Sequence, residues 1–182
     1  MSEGLISDGS SAGSLCPAGF KNVVKSCIEW PTGALPAKVS FSDAVASCTR
    51  TGMVFALTDP ETSLAFDLVL QEQFKGQSGL SFWLGFERAD ASQPWISVRG
   101  DRLPPVNRLW APGQPSDSGN CLIADQELGF KLRAVNCQDA HSVLCQPKRP
   151  NCPTGYEWVE AYGNSCFKTI DGSYEHVANG NQ

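Results

Sequence analysis

Eight cysteines, Cys16, Cys27, Cys48, Cys121, Cys137, Cys145, Cys152 and Cys166, constrain this 182-residue chain more than any other feature. Their number is even and none stands in a C-x-x-C pair, which argues against a zinc knuckle or a thioredoxin-type redox site and for disulfides. Disulfides persist in oxidising compartments, so an extracellular location is expected, as a secreted protein or an ectodomain. The opening MSEGLISDGSSAGSL lacks the basic and apolar regions of a signal peptide, and the chain is therefore expected to be a fragment. Sequence alone leaves about 15 pairings open for the six cysteines from Cys16 to Cys145.

With 41% hydrophobic residues, the chain can bury the core of one ordinary domain and have length left over. Its 14 Lys and Arg are scattered and the net charge is -5, so no continuous basic track exists for a phosphate backbone. Nucleic acid is excluded as a partner on that ground. No apolar stretch approaches the roughly 20 residues of a spanning helix, and no membrane span is expected in this chain.

An internal repeat sets the organisation. CPAGFKNVVKSC, from Cys16, and CPTGYEWVEAYGNSC, from Cys152, share a Cys-Pro-x-Gly-aromatic opening and a closing cysteine. The period is the length of a domain, not of a solenoid unit. The expected division is a flexible Gly- and Ser-rich leader (1–15), one complete domain (16–147), a proline-stiffened linker (148–151) and the truncated start of a second copy (152–182). In the second copy one short hairpin is expected, with no order in the tail after Phe167.

Within the first domain, SFSDAVASCTRTG predicts a helix capped by Ser40, with Asp43 in the first turn and a stripe of Phe41, Ala44, Val45 and Cys48. A second helix is predicted from TDPETSLAFDLVLQEQFKG, with Asp59 as cap, Pro60 at the first helical position, Gly76 as terminator, and Leu64 and Leu68 on a shared face. SFWLGF, CLIA and HSVLCQ are short, apolar and rich in β-formers, which predicts strands. A long proline-rich loop lies between the first two, ending in WAPGQPSDSGNC. Loops of that length in a compact domain are commonly functional. Trp83, Leu84 and Phe86 are expected in the core, and Trp95 and Trp110 as anchors of the loop.

The order of these pieces resembles a C-type lectin-like domain of the long form. The residues that carry the resemblance are the Cys-Pro-x-Gly-aromatic opening, the helix ending in Cys48, WLGF at 83–86, the series Trp95, Gly100, Pro105, Trp110 and Gly113 to Pro115, and VNCQDAHSVLC. The likeness covers 16–146 and resumes at Cys152. It implies an α+β fold with two helices, antiparallel sheets, a long loop and the pairings Cys16–Cys27, Cys48–Cys145 and Cys121–Cys137, with Cys152–Cys166 in the second hairpin.

The resemblance also implies where a ligand sits. Sugar-binding members typically hold calcium through an E-P-N or Q-P-D triplet in the long loop, a nearby Glu, and a W-N-D triplet shortly before a cysteine. In this chain Gln114, Pro115 and Ser116 stand at the first triplet, with Asp117 adjacent, and Leu132, Arg133 and Ala134 stand at the second. Calcium takes about 6 to 8 oxygens. Two ligands are lost at the second triplet, Arg133 adds a positive charge, and no Glu stands between Ser116 and Cys121. No cofactor and no metal are therefore expected, and the candidate ligand-binding loop is Gln114, Ser116, Asp117, Asn120 and Arg133.

Catalysis is not expected. The chain has two histidines, His141 and His176, and neither a nucleophile elbow nor a phosphate-cradling glycine motif. His141 is expected as a strand residue satisfied by backbone or water. The expected function is extracellular recognition, independent of calcium, of a protein or glycan ligand through the long loop. The alternatives are a calcium-dependent galactose-type lectin with a degenerate Gln114–Ser116 site and a structural protein that adsorbs to a matrix.

Overall fold

The computed structural model describes residues 16, 19–23, 26–29, 37–50, 52–56, 60–103, 107–147, 154, 157–159, 165–170 and 173–177. The chain opens with a hairpin of β1 (Lys21–Val23) and β2 (Ser26–Ile28), with Asn22 opposite Cys27. The Cys16–Cys27 bridge closes it. Helix α1 (Phe41–Ser47) begins where Ser40 accepts the Asp43 N–H at 3.3 Å and donates its own hydroxyl to the Asp43 carboxylate at 2.8 Å. Phe41, Ala44 and Cys48 are buried, as the helical stripe predicts. Strand β3 (Gly52–Val54) follows, then helix α2 (Pro60–Gln73), after which Gly76 takes a left-handed φ of 82° that ends the helical path. The predicted cap, Asp59, lies outside the described residues.

Leu64 and Leu68 do share a face of α2, but it is the outer one, at 48% and 59% exposure. The buried face carries Ser63, Phe66, Asp67, Leu70 and Phe74. An acidic residue sits on it because two cations meet it there: Arg108 Nη2 lies 2.8 Å and Lys131 Nζ 2.5 Å from the two Asp67 carboxylate oxygens. A buried carboxylate is tolerated only when paired in this way.

The central sheet takes β4 (Ser81–Glu87), β5 (Ile96–Ser97), β6 (Cys121–Asp125) and β7 (Lys131–Val135) in the antiparallel order β5-β4-β6-β7, and β8 (Ser142–Val143) adds a parallel pair on β4. Strand β9 (Cys145–Pro147) leaves to pair with β3. The predicted strand HSVLCQ is thus divided at Leu144 between two sheets. β4 reads as an unbroken apolar run because both of its faces are covered. Phe82, Leu84 and Phe86 join a cluster with Phe66 and Leu70 of α2 and Phe74 just after it, while Trp83 joins Phe41, Ala44 and Cys48 beneath α1. Trp83 meets Phe41 edge to face at 5.5 Å.

Cys48–Cys145 ties α1 to β9, and Cys121–Cys137 ties the start of β6 to the turn after β7, so three of the implied pairings are formed. The fourth, Cys152–Cys166, lies outside the described residues. A three-stranded antiparallel sheet comprises β10 (Glu157–Val159), β11 (Ser165–Ile170) and β12 (Ser173–Val177). Trp158 stands opposite Cys166, as Asn22 stands opposite Cys27, so the two hairpins share their register relative to the closing cysteine. The tail after Phe167 is not without structure, contrary to expectation. Ile170 pairs with Ser173, and the two residues between them, Asp171 and Gly172, are a dipeptide that favours two-residue hairpin loops.

The two faces of α2 predict opposite responses to substitution. Phe66→Ala should lower unfolding stability by about 3–5 kcal/mol through the cavity it leaves. Leu68→Gln should change it by less than about 0.5 kcal/mol. Urea denaturation of both variants checks this, and a large loss at Leu68 would contradict the assigned faces.

Candidate functional site

The long loop is strapped to the sheet at several points along its length. Leu103 N–H donates to the Trp95 carbonyl at 3.1 Å and Ala111 N–H to the Leu132 carbonyl at 3.0 Å. Trp95 and Trp110 pack with ring centres 6.0 Å apart, and Trp95 is buried. Both tryptophans therefore anchor the loop, as expected. Arg108, in the short helical turn Asn107–Leu109, adds the ion pair to Asp67 of α2.

The tip of the loop is organised by a residue for which the sequence carries no signal. Arg88 follows the last residue of β4 and is 7% exposed. Its Nη2 donates to the carbonyls of Ser116 at 2.6 Å and Gly119 at 3.0 Å, and its Nη1 to the carbonyl of Ala91 at 3.3 Å. The guanidinium also lies over the Trp95 ring, 4.5 Å from its centre. Its own N–H donates to the Asn120 carbonyl at 3.0 Å. A buried cation thus gathers main-chain oxygens from both sides of the site. Gly119 lets the loop tip close onto the end of β7: a Cβ there would stand 2.1 Å from the Val135 carbonyl carbon.

The five residues predicted for the site are not all brought together. Gln114, joined to Pro115 by a cis peptide, turns its side-chain oxygen inward, where it accepts from Ala134 N–H at 2.9 Å and Ser116 N–H at 3.1 Å. Ser116 and Ser118 share a hydrogen bond at 2.6 Å between their hydroxyls. Asp117 and Asn120 line a small cavity of about 180 Å³ with Asn136, which follows β7. Arg133 faces elsewhere. It stands opposite Ile123, whose side chain belongs to the α1-side cluster, and its guanidinium pairs with Asp125 at 2.9 Å. The expectation that Arg133 carries its charge into the loop is therefore corrected: adjacent strand residues point to opposite faces, and Ala134 is the one that meets Gln114.

These positions do not fit a calcium ion of the kind the resemblance implies. The Gln114 oxygen is engaged by two N–H groups, the carbonyls of Ser116 and Gly119 are engaged by Arg88, and Leu132, Arg133 and Ala134 offer no side-chain oxygen. Hard-cation sites need several free oxygens converging on one point.

A second cavity, of about 370 Å³, is lined by Glu87, Arg88, Ala89, Gln93, Pro94 and Ile96. The turn that carries Gln93 is fixed by Asp90, whose Oδ1 accepts from the hydroxyl and N–H of Ser92 at 2.5 and 2.8 Å. Those bonds hold the Asp90 carboxyl below its ordinary range.

His141 belongs to the scaffold. It exchanges both backbone hydrogen bonds with Val39, and Trp83 Nε1–H donates to the Val39 carbonyl at 2.7 Å. The ring meets the Trp83 face edge-on at 4.7 Å, with Nδ1 2.6 Å from the Ser81 hydroxyl and Nε2 buried without a partner. A serine hydroxyl thus satisfies one ring nitrogen, where backbone or water was expected. Ser81 is itself buried in β4, so the pair orients a ring and presents no nucleophile to solvent. Burial pushes the imidazole below its ordinary value, helped by the positive charges of Arg133 and Lys38 and opposed by Asp139 and Asp125.

Comparison with known proteins agrees with this architecture. The family model described as "Lectin C-type domain" matches residues 37–147. The chain is similar to clotting factor C of Tachypleus tridentatus, with 26% identity over 149 residues. That match covers 77% of this chain and 14% of the relative's length. Among solved structures, human lithostathine superposes with a TM-score of 0.59 at 20% identity, covering 73% of this chain and 99% of that one. The cow C-type carbohydrate-recognition domain of CD23, in the presence of a GlcNAc2Man3 oligosaccharide, superposes with a TM-score of 0.54 at 22% identity, covering 75% and 98%. At these identities the structural likeness is one of fold. No helix among the described residues is long and apolar enough to cross a membrane.

Two outcomes follow from the geometry. Arg88→Met keeps much of the packing over Trp95 but leaves three carbonyls without their donor. It should speed amide exchange at Ser116 at least tenfold while Leu84 and Ile123 in the central sheet keep their protection; unchanged exchange at Ser116 would contradict the role given to Arg88. For His141, the folded state favours the neutral ring, so the unfolded chain takes up the proton first as pH falls. The stability linked to His141 is present above the unfolded value of about 6.5 and is lost as pH drops below it. Urea midpoints between pH 7.5 and 5 should fall less steeply in His141→Gln than in the natural protein.

Proposed function

Since this chain belongs to the C-type lectin domain family, we propose that it is an extracellular recognition module that binds a protein or glycan ligand at the tip of its long loop without calcium. The observation that carries this reading is the Arg88 guanidinium bonded to the Ser116 and Gly119 carbonyls. A metal ion in such a loop supplies positive charge that gathers oxygens and fixes the backbone. Arg88 supplies that charge from within the chain, so the loop is ordered before any ion or ligand arrives. Preorganisation of this kind lowers the entropy lost on binding.

The binding face is formed by Asp117, Asn120 and Asn136, with Glu87 and Gln93 in the cavity that Arg88 also lines. Gln114 and Arg133 act behind it, the first by joining the loop to β7 and the second within the sheet. The three disulfides support an extracellular setting, since such bonds persist where the compartment is oxidising.

Thermal unfolding in calcium and in chelator tests the reading. A site with a Kd of about 0.1 mM, in about 10 mM calcium, would add about 2.7 kcal/mol and raise Tm by roughly 5–10 °C. The natural protein should shift by less than about 1 °C. A calcium-dependent rise of several degrees would overturn the proposal.

A further inference from the structure

The outer face of α2 is apolar where a solvated helix face is ordinarily polar. Leu64 and Leu68 stand one turn apart on it and are the most exposed large hydrophobics among the described residues. Leu128, 39% exposed, extends the surface from a neighbouring element. It ends the short turn Gln126–Leu128 after β6, and the next residue, Gly129, accepts from Gln71 Nε2 of α2 at 3.1 Å. Three leucines from two elements thus border one surface, on the side of α2 away from Phe66 and Leu70. A single exposed leucine is ordinary, but apolar side chains gathered into a patch mark a surface that is covered in use.

We propose that a second copy of this chain covers the patch, in a two-fold dimer whose α2 helices pack antiparallel, with Leu64 of each against Leu68 of the other. The proposal is independent of what the long loop binds. The spacing of the two leucines makes the face complementary to itself. A two-fold axis beside Ala65 and Phe66, midway between them, brings Leu64 onto Leu68 of the partner subunit and Leu68 onto Leu64 of the partner subunit, so one patch serves both sides of the contact.

Charge selects the same arrangement. α2 carries no basic residue in its last turn, and Glu72 stands there, at the negative end of the helix, where a carboxylate is disfavoured. Its pairing with Lys75 at 3.8 Å is exposed on both sides and offsets little of that. In the antiparallel pair Glu72 lies as far past the axis as Pro60, the first residue of α2, lies before it, so each Glu72 comes to the positive end of the partner helix. The area sets the strength. Two patches of a few hundred Å² each bury less than the roughly 1,200 Å² of a standard interface, so the dimer is reversible, with a Kd on the order of 0.1 mM. Pairing joins two long loops in one particle, which raises avidity for a ligand that is itself repeated.

The test is sedimentation equilibrium of the whole chain from about 10 µM to about 1 mM, on either side of that Kd. The average mass should rise from monomer toward dimer across the range. Leu64→Lys and Leu68→Glu should each weaken association at least tenfold, with Tm in dilute solution unchanged, because neither side chain supports the core. An equimolar mixture of the two variants should associate again. The introduced lysine of one chain then meets the introduced glutamate of the other, while the second contact keeps Leu68 of the first chain against Leu64 of the second. A monomer at every concentration, or a dimer that persists in both variants alone, would overturn the proposal. Association lost in the variants and not recovered in the mixture would overturn the antiparallel two-fold arrangement.

Discussion

The Cys48–Cys145 bridge is the constraint on which the rest of the architecture depends. It joins residues 97 apart in sequence, and closing a loop of about 100 residues removes roughly 4.7 kcal/mol of chain entropy from the unfolded state. Its position matters as much as its span. Cys145 belongs to β9, which pairs with β3, and its backbone also bridges to Glu29 after the opening hairpin. One residue thus holds the first hairpin, the end of α1 and the last strand of the domain together. Between those fixed ends the chain must pass out and back, and the central sheet with its long loop is what fills that excursion.

Each helix then closes one face of the sheet. α1 covers Trp83, and α2 covers Phe82, Leu84 and Phe86, which is why β4 has no polar side to show. The long loop sits at the end of this arrangement where β4, β6 and β7 run out, and three separate devices hold it there: the Trp95–Trp110 packing, the Arg108–Asp67 pair and the Arg88 carbonyl bonds. Each device draws on a different element, so the loop is fixed from three directions.

Much of this was legible in the chain. The cysteine framework, the Ser40 cap, the β4 run and the anchoring tryptophans all rest on local pattern, and local pattern is what a single sequence displays. What failed to show were the residues whose role is set by distant partners. Asp67 breaks the apolar stripe of α2, so the shared face of Leu64 and Leu68 carries no sign of being the outer one, and only Arg108 and Lys131, far along the chain, explain the burial of Asp67. β7 was hidden for a similar reason, since Lys131 and Arg133 interrupt its apolar run and find their carboxylates on α2 and β6. Arg88 ends an apolar strand and reads as the first solvated residue after it, although it is buried. The alternation of strand faces, once β7 is recognised, also turns Arg133 away from the loop. Strand β12 stands apart, because Asp171-Gly172 is a local signal for the β11–β12 hairpin, in a tail from which no order was expected.

The manner in which Arg88 grips the loop has a consequence for how such a protein can change. All three of its acceptors, on Ala91, Ser116 and Gly119, are main-chain carbonyls. Every residue type supplies a carbonyl, so the side chains of Asp117 and Ser118 can be exchanged without removing any oxygen that Arg88 holds. In a loop ordered by a metal bound to carboxylates and amides, the residues that give shape are also the residues that contact the ligand, and altering one alters the other. Here shape and selectivity are carried by different atoms. The surface is thereby open to diversification, with new specificities reachable by single substitutions that leave the fold of the loop intact.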